Sequence, residues 1–310
     1  MRREGHPSWV NPRIPLPPHL GTTPFTYRQG LDAGLGRNRL RNKDLQRPYR
    51  GIRTAAFGEL TLLDRAIAYQ QKMPPHAHFC GITAAVLLGV PLPSRHERSL
   101  LLQVAVPPPH RAPTGRGVRG HTLSVAPGDV GVWRGLRICS PTRAWCELGA
   151  LLTLPDLVAA GDYLIHADRS MAALASKSGL ADAVGRYPGR RGQRRLRAAL
   201  GLLDAASESP QESRLRVVIL LGGIPGVVAN LPITTSGGFH YRADLAFPGR
   251  KVIVEYQSGL HDSPEAFRAD MTRVSRLEAD GWRVILVNKD DLDNPQELLQ
   301  RIRLVLATRG

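Results

Sequence analysis

The chain has little cysteine, and this shortage excludes two classes of protein. Its 310 residues contain three cysteines, Cys80, Cys139 and Cys146. They form neither a CxxC pair nor a cluster with histidine. An odd number of widely spaced cysteines argues against a disulfide framework and against a structural zinc site. The cysteine pattern therefore predicts a reducing, cytoplasmic location.

Signals for secretion and membrane insertion are also missing from the sequence. The N-terminal segment has charge and prolines but lacks the apolar core of a signal peptide. The longest apolar run, Val217 to Ala229, is interrupted by three glycines and a proline, so it is too short to span a bilayer. No internal repeat is present. We expect a protein without a membrane partner.

Positive charge is in excess and is unevenly distributed along the chain. There are 42 Lys and Arg against 26 Asp and Glu, a formal net charge of +16. Residues 1–200 hold 29 basic and 12 acidic residues, whereas residues 201–310 hold 13 and 14. The excess favours a polyanionic partner, here DNA, although an arginine-rich bacterial proteome would give the same bias. The distribution suggests that the first two thirds hold an anion and the last third a cation that acts on it.

The first segment, residues 1–59, has a Pro-rich arm followed by the element order of a winged helix-turn-helix. Thr26 can cap a first helix, two glycines form a turn, and Arg37–Leu45 is predicted as a basic second helix that leads into a strand. Arg37 and Arg41 would share one face of that helix and contact DNA. An ordinary helical hairpin with a solvated basic face fits the same residues.

Residues 60–185 are predicted to form a middle α/β region, and residues 186–206 an Arg-rich linker and helix. The histidines of the middle region are scattered without the spacing of metal ligands. The linker has the composition of a phosphate-contacting surface, although it could equally be only a basic connection. The arginines of this linker predicted to bind nucleic acid are Arg190, Arg191, Arg194 and Arg195.

The last segment, residues 207–310, carries the residues with catalytic potential. Its predicted order is helix, strand, strand, helix, strand, helix, with a further strand before the first pair. Asp244 and Glu255 interrupt two adjacent apolar strands, and strand periodicity places Gln257 on the face of Glu255. A carboxylate in a buried strand is unfavourable unless it is paired or binds a cation. Hard oxygen ligands with open water positions suit Mg²⁺, or Mn²⁺. The ion would activate a water and stabilise the charge that develops on a phosphate, and Gln257 could orient that water.

These residues carry a family resemblance. Asp244 followed by Glu255-x-Gln257, after a helix with Glu212, resembles the PD-(D/E)XK nuclease superfamily. The segments SPQESRLR, YRADLAF, KVIVEYQSGLH and FRADMTRVSRLEADGWRVILV are more closely similar to a family related to very-short-patch mismatch repair endonucleases, known as domain of unknown function 559. This resemblance covers residues 207–307. It implies a restriction-endonuclease-like αβ domain with a central mixed sheet, and a catalytic set of Asp244, Glu255, Gln257 and Glu212.

The earlier part of the chain carries a weaker similarity, to actinobacterial proteins with an AbiEi-like antitoxin winged helix. The segments FTYRQGLDAGL, RGIRT and SPTRAWCELGA carry it. Together the two resemblances predict an α/β chain with a winged-helix-like and α/β N-terminal part before the endonuclease-like domain.

Two positions allow more than one interpretation. The superfamily commonly has Lys where this chain has Gln257, and Gln also occurs there among its members. Ser209-x-x-Glu212 is the pattern of a capping box, in which Glu212 would stabilise the helix rather than bind metal.

Two further residues could line the same cleft. His261 is predicted to contact phosphate or to be an ordinary loop residue, and Asp270 is expected to pair with Arg268 or Arg273. The functions that fit are a metal-dependent DNA endonuclease, a DNA-binding antitoxin-type transcriptional regulator with an inactive nuclease fold, and a protein-interaction module. The two strand carboxylates favour the endonuclease.

Overall fold

The computed structural model describes residues 14–55, 57–168, 170, 172–189, 191–257 and 264–309. Two residues predicted to contact nucleic acid, Arg190 and His261, lie outside them. The chain is a mixed α/β protein, as predicted. It divides into two compact units, the first drawn from residues 1–79 and 99–138, the second from residues 80–98 and 139–310.

The first unit contains a small two-stranded sheet and a larger six-stranded one. Its helices are α1 (Pro18–Thr22), α2 (Tyr27–Asp32) and α3 (Leu62–Gln70). The small sheet pairs β1 (Phe25–Thr26) with β2 (Ile52–Arg53). The larger sheet has β3 (His78–Phe79), β4 (Leu102–Val106), β5 (Thr114–Gly115), β6 (Val118–Thr122), β7 (Val130–Trp133) and β8 (Leu136–Cys139, whose last residue belongs to the second unit). The order is β5-β6-β4-β3-β8-β7, with parallel and antiparallel pairs.

The predicted basic second helix, Arg37–Leu45, is wrong. Only a short 3₁₀ helix, Arg39–Arg41, forms there, and at Asn42 the backbone leaves the helical conformation and becomes extended. The cause is tertiary: the Arg39 side chain is buried, pairs with Asp44 at 3.0 Å and donates to the carbonyl of Ile14. Arg37 and Arg41 are exposed, but they do not lie on one face of a regular helix.

The first predicted helix of this segment is confirmed as α2. Thr26 caps it, and Gln29 completes a reciprocal capping box by accepting from the Thr26 backbone. Buried Phe25, Leu35 and Leu40 pack beside it in a small apolar cluster.

The second unit contains ten of the helices in the described part of the chain. These are α4 (Gly81–Leu87), α5 (Ser94–Glu97), α6 (Pro141–Leu148), α7 (Leu154–Ile165), α8 (Lys177–Arg186), α9 (Gln193–Leu202), α10 (Pro210–Leu221), α11 (Pro264–Ala279), α12 (Lys289–Asp293) and α13 (Pro295–Ala307). Its sheet has β9 (Val228–Thr234), β10 (His240–Phe247), β11 (Val252–Tyr256) and β12 (Arg283–Val287). The order is β12-β11-β10-β9, with β11 and β12 parallel and the other pairs antiparallel.

Each face of this sheet has its own apolar core. On one face, Val252 and Val254 of β11 pack with residues of α10 and α13. On the other face, Ile253 packs with Leu277 of α11. Because successive side chains of a strand alternate between faces, Glu255 lies on the α11 side with Ile253.

Helices α7 and α10 pack against each other and share a buried ion pair. Arg216 of α10 donates to Asp162 of α7 at 2.7 Å, and both side chains are almost fully buried. Burial raises the pKa of Asp162, although Arg216 opposes that shift. Helices of the predicted middle region and the helix bearing Glu212 therefore belong to one packed unit. No helix in the described part of the chain has the length and apolar character needed to cross a membrane.

Candidate functional site

Asp244 lies where strands β10 and β11 part. Their regular pairing ends at Leu245 and Val254. Beyond that point the backbone N–H of Tyr256 donates to Oδ2 of Asp244 at 3.1 Å, so a carboxylate replaces the backbone acceptor of the neighbouring strand. This bond holds the Asp244 side chain at the opening between the strands.

Asp244 is half-buried among other acids. The pKa of its carboxyl group is raised to about 6: burial raises it most and the nearby Glu212 and Glu255 also raise it, while the Tyr256 amide and Arg273 oppose the shift. In the described part of the chain no side chain donates a hydrogen bond to Asp244. A carboxylate with a raised pKa and no cationic partner of its own is a candidate functional group.

Glu255 is buried and is held by an arginine of α11. Arg273 Nη1 donates to Oε1 of Glu255 at 2.6 Å, and Nη2 donates to Oε2 at 2.5 Å. The same guanidinium contacts Asp270 Oδ1 through Nη2 at 2.7 Å and through Nε at 3.1 Å. The hydrogen bonds to Glu255 contribute most to raising the pKa of Arg273, so this side chain is a permanent cation.

Gln257 is held at both its backbone and its side chain. Its backbone N–H donates to the carbonyl of Val287 at 2.7 Å, and its side-chain amide donates to Asp270 Oδ2 at 3.1 Å. Asp270 therefore pairs with Arg273, one of its two expected partners, while Arg268 pairs with Glu265 instead.

Glu212 combines a structural contact with a place near the other acids. Ser209 accepts from the backbone of Glu212, as in the predicted capping box. The Glu212 carboxylate does not return to Ser209, however, but accepts from the Glu208 backbone at 3.1 Å and from the Asn230 side chain at 3.0 Å. Since Glu212 also raises the pKa of Asp244, both interpretations of Glu212 stay open.

The structure thus brings the four residues predicted to be catalytic into one neighbourhood, together with Arg273 and Asp270. Asp244 and Glu255 are the carboxylates that could share a cation. Within the described residues no three His, Cys, Asp or Glu side chains are arranged to hold a metal ion. A carboxylate oxygen has two acceptor sites, so Glu255 can keep its bonds to Arg273 and still offer oxygen lone pairs to a cation.

The predicted nucleic-acid contacts fall in two places. Arg37 and Arg41 are exposed in the first unit. Arg191, Arg194 and Arg195 line a surface cleft of about 630 Å³ at the start of α9. Arg195 also donates to the carbonyl of Gly149 at 2.9 Å, so it has a structural contact as well.

Sequence reasoning missed two contributors to the site. Asn230 has a positive φ of 48° and directs its amide to Glu212. The sequence predicts Arg273 only as a partner of Asp270, although Arg273 also binds Glu255. The one available signal was its position three residues after Asp270, which places both on one face of α11.

Comparison with known proteins gives relatives but no function. Two uncharacterised proteins of Mycobacterium tuberculosis, from strains CDC 1551 / Oshkosh and ATCC 25618 / H37Rv, are each 29% identical over 281 residues. Each alignment covers 89% of this chain and 95% of the relative. No family profile matches the chain, and no solved structure matches it significantly.

Proposed function

We propose that the protein is a metal-dependent DNA endonuclease whose PD-(D/E)XK-type domain spans residues 207–310. The observation that carries the proposal is Asp244, a half-buried carboxylate with a pKa raised to about 6, beside Glu255 and Glu212. The order α10, three antiparallel strands, α11, a parallel strand and α13 supports the restriction-endonuclease-like arrangement.

Asp244 and Glu255 would hold a Mg²⁺ or Mn²⁺ ion. Such an ion supplies an activated water and stabilises the charge that develops on a phosphodiester. Glu255 is fixed by Arg273, and Asp244 by the Tyr256 amide, so the two carboxylates are positioned before any ligand binds. Gln257 is neutral at physiological pH, so it can orient a water but cannot accept its proton.

DNA would be held mainly by the first unit. Residues 1–79 and 99–138 contain 18 Lys and Arg but 6 Asp and Glu, a net charge of +12. The three cysteines are free and buried, which supports the reducing cytoplasm as the location.

The direct test is cleavage of plasmid, mismatched duplex and single-stranded DNA with Mg²⁺ or Mn²⁺. Wild type should cleave at least one substrate, and Asp244→Ala should cleave none. Chelation of the metal should abolish cleavage as well. Equal activity in wild type and Asp244→Ala would exclude this site as its source.

A second candidate is a DNA-binding antitoxin-type regulator with an inactive nuclease fold. The observation that favours it is that Arg273 engages both oxygens of Glu255, while Asp270 engages Gln257. A regulator would bind one DNA sequence tightly without metal and leave every substrate intact. Binding and cleavage measured on the same DNA therefore separate the two functions.

A further inference from the structure

One N–H group of Arg273 has no hydrogen-bond acceptor among the described residues of the candidate site. A guanidinium carries five N–H groups in one plane. Four of them are used, two on Glu255 and two on Asp270. In the described part of the chain the fifth, the second N–H of Nη1, has no acceptor. Because the group is planar, this N–H points away from the edge that faces Asp270.

The position of this guanidinium is fixed by its partners. Glu255 and Asp270 accept hydrogen bonds from two different edges of the guanidinium. The guanidinium can therefore neither rotate nor withdraw without breaking several charged hydrogen bonds. About a quarter of the Arg273 side chain remains exposed, so solvent or a substrate can reach it.

The charged groups at the site are mostly acidic. Glu212, Asp244, Glu255 and Asp270 are acidic and Gln257 is neutral, so Arg273 is the cation that the described residues place against Glu255. The proposed divalent ion would offset part of this negative charge, and the fixed positive charge of Arg273 would lower the repulsion that remains toward a phosphodiester.

We propose that Arg273 contacts the substrate directly, donating its free Nη1 N–H to a non-bridging oxygen of the phosphodiester to be cleaved. This inference rests on the proposed endonuclease function and names a further catalytic residue for it. Arg273 would then supply the positive charge that the superfamily's Lys supplies at the position of Gln257. Asp270 is a positioning residue that holds Arg273.

The test compares wild type, Arg273→Gln and Arg273→Lys in three assays. These are cleavage of supercoiled plasmid with Mg²⁺, affinity for a fluorescently labelled duplex, and the Mg²⁺-induced shift in melting temperature. Arg283→Gln is the matched control, because it removes an exposed arginine that pairs with Glu278 in the same unit.

Arg273→Gln should lower the cleavage rate about 10²–10³-fold, the usual loss when one fixed donor to the transition state is removed. Duplex affinity should fall much less, and the Mg²⁺-induced shift should persist, because Asp244 and Glu255 remain. Arg273→Lys keeps the positive charge, but an ammonium cannot reproduce the planar set of hydrogen bonds to Glu255 and Asp270. The cleavage rate of this variant should therefore fall about tenfold. Arg283→Gln should match wild type in all three assays.

The outcomes separate this inference from the proposed function. If wild type cleaves and folded Arg273→Gln cleaves within about threefold of it, this inference fails while the endonuclease stands. If wild type neither cleaves plasmid nor responds to Mg²⁺, both fail. If Arg273→Gln does not fold, folded Arg273→Lys decides: reduced cleavage with an intact Mg²⁺ shift supports the contact, and wild-type cleavage overturns it.

Discussion

The two compact units use arginine in different ways. The first holds 18 Lys and Arg against 6 Asp and Glu, so its basic residues greatly outnumber the acids that could neutralise them. The second holds 24 against 20. There, the buried Arg143 and Arg216 pair with carboxylates that are themselves buried.

The difference indicates which charges are available to a ligand. A buried arginine that neutralises a carboxylate is part of the fold and adds little to the external field, whereas an exposed, unpaired arginine attracts polyanions. Net charge alone does not separate the two units as ligand surfaces. Under the proposed function, the excess of basic over acidic residues favours the first unit as the main DNA contact and leaves the acids of the second unit for chemistry.

The largest expected effect tests whether the buried arginine pairs of the second unit stabilise its fold. Arg216→Met leaves the buried Asp162 without its cation and should lower the free energy of unfolding by about 3–5 kcal/mol. The matched control is Arg214→Met, two residues along α10, which breaks a more exposed pair with Asp156 and should lose about 1 kcal/mol or less. Urea unfolding measures both, and equal losses would show that burial of the Arg216 pair is irrelevant.

Much of the second unit could be predicted from local signals. Pro210 and Pro295 mark the first turns of α10 and α13, and Gly281, with a φ of 87°, follows the end of α11. The apolar runs in the sequence also predict strands β10 and β11. Asp244 and Glu255 are identified as candidate site residues because they interrupt those runs.

What the sequence could not predict depends on side-chain chemistry at turns and on distant contacts. Strands β7 and β8 are separated by a tight turn at Arg134 and Gly135, which both adopt positive φ. Strand β12 ends at Val287, and Asn288 then caps α12, a helix that the predicted element order lacks. The pairing of Arg273 with Glu255 joins a helix to a strand, and no local pattern reports such a contact.

The second prediction concerns Asp244 of the second unit. The pKa of Asp244 is raised to about 6 in the folded protein, so the unfolded chain, with a pKa near 3.9, loses this proton first. Without metal, wild-type stability should therefore fall as the pH rises from about 4 to about 6, on the order of 2 kcal/mol from this group after allowing for solvent screening.

Asp244→Asn removes that dependence. The variant should be more stable than wild type at pH 8 without metal and no more stable at pH 4. Urea unfolding at the two pH values tests this, with Asp293→Asn as the control for loss of one exposed carboxylate. Equal stability of wild type and Asp244→Asn at pH 8 would contradict the raised pKa.

The third prediction concerns the first unit. Arg37→Gln with Arg41→Gln should weaken duplex binding about tenfold and reduce the slope of log K against log salt by about 1.8, because two phosphate contacts are lost. The control, Arg283→Gln with Arg303→Gln, removes the same charge from the second unit. If the control pair weakens binding as much, the contrast between the units is wrong.

The smallest expected effect is an increase in cleavage rate, in the variant Gln257→Lys. In Gln257→Lys an ammonium replaces the amide that donates to Asp270, which should place a second cation beside the site. Cleavage should rise a few-fold, and Mg²⁺ should still stabilise the fold. Lower cleavage with intact metal stabilisation would mean that the neutral Gln257 amide has a role that a cation disrupts.

The central claim is that Asp244 and Glu255 share a divalent cation, and melting temperature measured against Mg²⁺ and Mn²⁺ tests it most directly. Wild type should melt at increasingly higher temperature as either ion is added, because the ion binds only the folded state. Asp244→Asn should show no increase. A wild-type melting temperature that ignores both ions, matched by Asp244→Asn, would contradict the claim and favour the DNA-binding regulator.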